Sequence, residues 1–156
     1  MNDKISDVTG YATLLQELRS TDSETGLLTR TKLYNNLLQE LARCDRYGNK
    51  LSVVSLRIFC ADGAAPNGGS SELVGKLGNY LGINVRNVDY AARWSDREFL
   101  VVLPETDEQG AQVFANKLSP VVNGLMEGIQ GQQVSIDTAT YMRGDDMPGL
   151  LSRVNL

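Results

Sequence analysis

Residues 86–99 read Arg86-Asn87-Val88-Asp89-Tyr90-Ala91-Ala92-Arg93-Trp94-Ser95-Asp96-Arg97-Glu98-Phe99, and the fold turns on them. Two short strands, at about 89–94 and 98–103, are joined tightly through Ser95-Asp96, and Pro104 ends the second because it has no N–H for a ladder. Upstream, Leu51 to Phe59 carries Val53, Val54, Leu56 and Ile58, a β-rich run of the kind buried at a sheet centre. Downstream, Val134, Ile136, Thr138 and Thr140 alternate as one strand face. Helices are predicted between these strands. The first runs from about Thr29 to Arg46 on a stripe of Leu33, Leu37, Leu38 and Leu41, stopped by Tyr47-Gly48. The second follows a Gly/Pro/Asn-rich loop at 60–69, is capped by Ser70 or Ser71, and carries Leu73, Leu77, Tyr80 and Leu81. The third opens on the capping-box pattern Thr106-Asp107-Glu108-Gln109 and buries Ala111, Phe114, Leu118, Val121 and Val122. A short one starts at Met147. This order implies an α/β (α+β) domain with a central, mostly antiparallel sheet of four to five strands flanked by helices.

With 156 residues, the chain holds one domain with a real core. Residues 4–19 place Ile5, Val8, Tyr11, Ala12, Leu15 and Leu18 three or four apart, either a helix lying on its own domain or one contacting a partner or a second copy. Ser20 to Gly26 reads as a connector, which divides the chain into an N-terminal helix and connector at 1–21 and a domain at 22–156. The chain has no histidine, which removes Ser-His and Cys-His nucleophile systems and the usual zinc sites. Cys44 and Cys60 form no C-x-x-C pair and read as two reduced thiols. A formal net charge of −4 disfavours nucleic-acid binding, which needs a basic face, while a small anion answers to a few local arginines. No apolar run approaches the roughly 18–20 residues of a membrane span, and no signal-peptide pattern opens the chain, so the cytoplasm is the expected compartment.

The central stretch resembles the signature hairpin of the GGDEF domains, the diguanylate cyclase family, whose pattern is RxxD, a spacer, then R-Y-G-G-[DE]-E-F. Asp22-x-x-Thr25-Gly26-Leu27-x-x-Arg30 is similar to the family's D-x-L-T-G-L-x-N-R, with Glu24 and Thr29 as departures. Arg46-Tyr47-Gly48, Leu103-Pro104-x-Thr106-Asp107 and Val134-Ser135-Ile136-Asp137-Thr138-Ala139 fall in the family's order and spacing. The resemblance covers residues 22–156 and implies the adenylyl-cyclase-like GGDEF fold. Family members join two GTP molecules into cyclic di-GMP on carboxylate-held divalent ions. Here the resemblance aligns Arg57 and Arg97 with metal-binding carboxylates, Ser95 and Asp96 with the two glycines, and leaves Glu98. The family's phosphate-binding lysine and arginine on the last helix lie past Leu156, so the domain reads as C-terminally short. The chain is therefore identified as a degenerate member: no enzyme, with no metal and no cofactor.

What the resemblance leaves standing is RxxD, the family's inhibitory or product site for cyclic di-GMP. Four RxxD strings occur, at Arg19/Asp22, Arg86/Asp89, Arg93/Asp96 and Arg143/Asp146, and only Arg86/Asp89 has the family's spacing from the signature. In that reading Arg86 forks onto base or phosphate and Asp89 accepts from the guanine N–H edge, with Lys117 (where arginine is usual) and Arg93 completing the site. Read from the residues alone, the pair is either this site or a surface ion pair. Arg57 and Arg97 either hold an anion without a metal or pair with Asp96, Glu98 or Asp62. The expected function is a cyclic di-GMP receptor or effector that stacks ligand pairs and dimerises through them. The alternative is a protein-interaction module that binds no nucleotide.

Overall fold

The computed structural model describes residues 20–60, 69–129 and 131–156. The helix expected at 4–19, with its possible partner contacts, and most of the loop expected at 60–69 lie outside the described residues. Five strands form one sheet: β1 (Leu28–Thr29), β2 (Leu51–Cys60), β3 (Tyr90–Ser95), β4 (Glu98–Pro104) and β5 (Gln132–Thr140). Their order is β1-β3-β4-β2-β5, antiparallel throughout except for β1, which runs parallel to β3 with Leu28 opposite Ala92. Four helices cover it: α1 (Arg30–Tyr47), α2 (Gly69–Asn84), α3 (Glu108–Leu125) and α4 (Met147–Ser152). Among the described residues no helix is long and apolar enough to cross a membrane.

Alternation along β2 explains why both sheet faces are dry. Val54, Leu56 and Ile58 face α2 and α3 with Phe99, Leu77 and Leu118, while Leu51 and Val53 face α1 and α4 with Leu37, Leu100 and Leu150. Helix α1 starts on Thr29, whose hydroxyl accepts from the Lys32 N–H, and stops at Gly48 in the left-handed region at φ 69°. Its buried stripe is Leu33, Leu37, Glu40, Leu41 and Cys44. Leu38, expected inside, is 45% exposed, because it sits one residue off that stripe.

Two caps differ from expectation. Helix α2 is already helical at Gly69, so neither Ser70 nor Ser71 precedes its first turn. Helix α3 is capped by Asp107, whose Oδ1 accepts from the Gly110 N–H at 2.8 Å, while Thr106 instead donates to the Pro104 carbonyl at 3.0 Å. Ser20–Gly26, read as a connector, leads into a built element. Asp22 Oδ2 accepts from the Thr25 N–H and hydroxyl, and Gly78 of α2 leaves the room that Thr25 fills. A Cβ at Gly78 would stand 2.4 Å from Thr25 Cβ, a separation only glycine permits.

Candidate functional site

Helix α2 ends at Asn84, and Asp89 donates its N–H to the Arg86 carbonyl at 3.0 Å, closing a turn over Asn87-Val88. The Asp89 carboxylate folds back into this turn. Its Oδ2 accepts from the Arg86 backbone N–H at 2.8 Å and from Nε at 3.2 Å, and its Oδ1 accepts from Nη2 at 2.9 Å. The result is a forked ion pair within one turn, with the Asp89 side chain 2% exposed and that of Arg86 57%.

Arg86 Nη2 also donates to the Pro104 carbonyl at 3.3 Å and to Thr106 Oγ1 at 3.0 Å. Glu105 between them has φ 53°, a left-handed conformation that costs a non-glycine residue about 1 kcal/mol and turns the chain so that both neighbours meet the guanidinium. The hydrogen bond to Asp89 raises the Arg86 pKa, desolvation opposes it, and the charges of Asp89 and Glu105 add to the rise. Arg86 is thus a fixed cation held at the surface.

It faces a cleft of about 540 Å³ whose walls include Arg86, Asp89, Lys117, Lys50, Thr106 and Phe114. Lys117 stands exposed on α3 and enters no ion pair among the described residues. Arg86, Asp89 and Lys117, drawn from the α2–β3 turn and α3, therefore share one cleft. Both Asp89 oxygens accept from Arg86, so the carboxylate orients the guanidinium in this geometry. Lys50 and Thr106 were missed. Thr106 reads in sequence as a cap, and Lys50 carries no signal beyond following a helix stop.

Arg93 does not join them. Its Nη1 lies 2.6 Å from Glu24 Oε2 and 3.6 Å from Asp22 Oδ2, its Nη2 donates to the Asp96 carbonyl at 3.0 Å, and its side chain is 15% exposed. It stands outside the cleft that Arg86, Asp89 and Lys117 line. Strand β3 carries Arg93 away from the turn and toward the opening motif, where it fastens the hairpin to Asp22 and Glu24.

The hairpin turns on Asp96-Arg97 without a positive φ, which two-residue hairpins usually need, and a bulge between Arg93 and Ser95 takes up the difference. Ser95 Oγ donates to Glu98 Oε1 at 2.7 Å. The Ile58 N–H donates to the Arg97 carbonyl at 2.9 Å and Arg57 pairs in register with Glu98, so the backbones at 57 and 97 are adjacent. Among the described residues neither guanidinium enters an ion pair, and Arg57 lies 5.9 Å over the Phe59 ring. The pairing expected with Asp96 or Glu98 is absent there, and Asp62 lies outside the described residues. Arg30 covers Trp94 at 4.3 Å from the ring centroid, which accounts for the buried indole.

The family described as diguanylate cyclase, GGDEF domain, matches residues 19–153. No curated protein matches the chain at a significant level. Solved structures do. The GGDEF domain of DgcB from Caulobacter crescentus, in complex with c-di-GMP, superposes with a TM-score of 0.69 at 16% identity, over 87% of this chain and 83% of that one. Diguanylate cyclase SiaD from Pseudomonas aeruginosa, in complex with its activator SiaC, gives 0.71 at 20% identity, over 99% of this chain and 62% of that one. A microbial GGDEF domain described with c-di-GMP gives 0.67 at 18%, over 86% and 85%. At these identities the likeness carries the fold. The expectation that the chain is no enzyme is corrected by the family match, which points to a cyclase. Of the aligned signature letters Glu98 remains, on β4, while Arg57, Ser95, Asp96 and Arg97 depart from the family's pattern.

Proposed function

The chain belongs to the GGDEF domain family, and from that premise we propose that it binds cyclic di-GMP in the cytoplasm, in the cleft between the α2–β3 turn and α3. One observation carries the reading: Lys117 of α3 lines one cleft with Arg86 and Asp89 of the α2–β3 turn, and the guanidinium there is exposed and held. Its volume of about 540 Å³ lies within the roughly 300–1,000 Å³ of small-molecule sites. Arg86 offers a planar fork to a base edge or phosphate, oriented by buried Asp89, so little side-chain freedom is lost on binding. Lys117 adds a mobile charge for the second phosphate. Arg57 and Arg97 form no part of this cleft, and their adjacent backbones make them a separate candidate for an anion.

Isothermal calorimetry on the wild type and Arg86→Ala tests it. Arg86→Ala is expected to weaken cyclic di-GMP binding by about 100-fold, the loss of a charge-assisted fork. No heat from the wild type, or equal affinity in the variant, overturns the reading. Incubation of the same wild-type protein with GTP and magnesium or manganese measures cyclase activity separately.

A further inference from the structure

A second lobe of about 390 Å³ adjoins the cleft and shares Arg86, Lys50 and Glu105 with it. Its lining includes Glu40, a carboxylate on the buried stripe of α1 with its side chain 11% exposed. Such a group is costly unless it is well bonded, yet its partners are weak. Tyr90 Oη donates to Oε1 at 3.3 Å, and Arg43 Nη1 approaches the same oxygen at 3.5 Å. The second oxygen, Oε2, accepts no hydrogen bond among the described residues and is not sealed from solvent. Of the carboxylates around the two lobes, Asp89 has both oxygens on Arg86, Glu105 lines both lobes and adds its charge at Arg86, and Glu40 has one oxygen open.

We infer that Glu40 is the specificity-determining acceptor of this lobe and reads the N–H edge of a guanine base whose nucleotide is held by Arg86. The inference rests on the reading of the cleft given above. Guanine presents N1–H and an exocyclic N2 amino group side by side, two donors that suit an acceptor-only carboxylate. Adenine presents an unprotonated N1, whose lone pair faces such an oxygen unfavourably. Arg86 has Nη1 outside every hydrogen bond among the described residues, available to the acceptor side of the same base. Lys50 lines both lobes, its ammonium 3.9 Å from Asp107 Oδ2. Glu40 acts here by touching the ligand.

The test is calorimetry with cyclic di-GMP and cyclic di-AMP on the wild type and Glu40→Gln, with thermal melts to establish folding. The amide keeps an oxygen for Tyr90 and loses the charge. The wild type is expected to prefer the guanine ligand, and Glu40→Gln to weaken cyclic di-GMP by about 10- to 100-fold while leaving cyclic di-AMP unchanged. A folded variant that binds cyclic di-GMP as the wild type does overturns the inference and leaves the cleft reading intact. Should the variant not fold, the wild type still decides: equal affinity for the two ligands overturns the inference. Absence of any cyclic di-GMP binding by the wild type removes the cleft reading, and this one with it.

Discussion

Arg86-x-x-Asp89 and Arg93-x-x-Asp96 are the same four-residue string, and the fold gives them opposite fates. The first spans a turn. Its two ends are brought together by the Asp89 N–H on the Arg86 carbonyl, so the side chains meet in a fork. The second begins on a strand and ends in a hairpin turn, where Arg93 reaches only the backbone carbonyl of Asp96. Arg93 finds its carboxylates in Asp22 and Glu24, far off in sequence, and is 15% exposed where Arg86 is 57%. The string means little by itself. A turn beneath it produces a presented cation, and a strand beneath it produces a fastening.

The largest effect that separates the two is expected at Asp89. Asp89→Ala removes three hydrogen bonds to a carboxylate in a sealed position, one of them to a backbone N–H. Urea unfolding is expected to show a loss of about 2–3 kcal/mol. Ligand binding should fall as well, because Arg86 loses the group that orients it. A variant that keeps full affinity would mean that Arg86 needs no positioning, and the contrast between presented and fastened arginines would fail.

Arg93→Ala comes next. It leaves Asp22 and Glu24 facing each other without a cation, but both are partly hydrated, and Arg93 Nε has no hydrogen-bond partner among the described residues. The expected cost is about 2 kcal/mol, below that of a fully buried pair. Cyclic di-GMP affinity measured well below the melting temperature should not change. A loss of affinity comparable to that of Arg86→Ala would return Arg93 to the ligand site and erase the distinction.

Much of this was legible because periodicity reports burial. The β2 run, the β3–β4 pair and the α1 and α3 stripes stand close to where alternation and 3.6-residue spacing put them. What was not legible has physical causes. Strand β1 is two residues long, too short for any period, and exists because Leu28-Thr29 lies beside Ala92-Arg93. Strand β3 carries Arg93 away from the turn that holds Arg86, at about 3.3 Å per residue, and no sequence pattern reports that separation. Glu40 was hidden for a different reason. A carboxylate is assumed to face water, and here it occupies a core position, against Tyr90, that leucine would fill. Lys117 and Asp89 could both be named from the sequence, yet only the fold distinguishes an open group from an occupied one.

The smallest effect expected is one of pH, and it probes the lobe beside the clasp. Burial pushes the Tyr90 phenol upward, and the charge of Glu40 and the hydrogen bond to it push further, with Arg43 opposing. The folded state therefore favours the neutral phenol relative to the unfolded chain, whose tyrosine titrates near about pH 10. The stability this gives is fully present below that pH and is lost as pH rises through the higher folded value. Wild type should thus weaken on the alkaline side more steeply than Tyr90→Phe, which has no proton to lose there. Denaturant midpoints followed from neutral to strongly alkaline pH measure the difference, with tyrosinate absorbance of the two proteins locating the titration. Parallel curves would mean that Tyr90 does not face the Glu40 charge, and the wall on which the guanine reading depends would then be built differently from the clasp that holds Arg86.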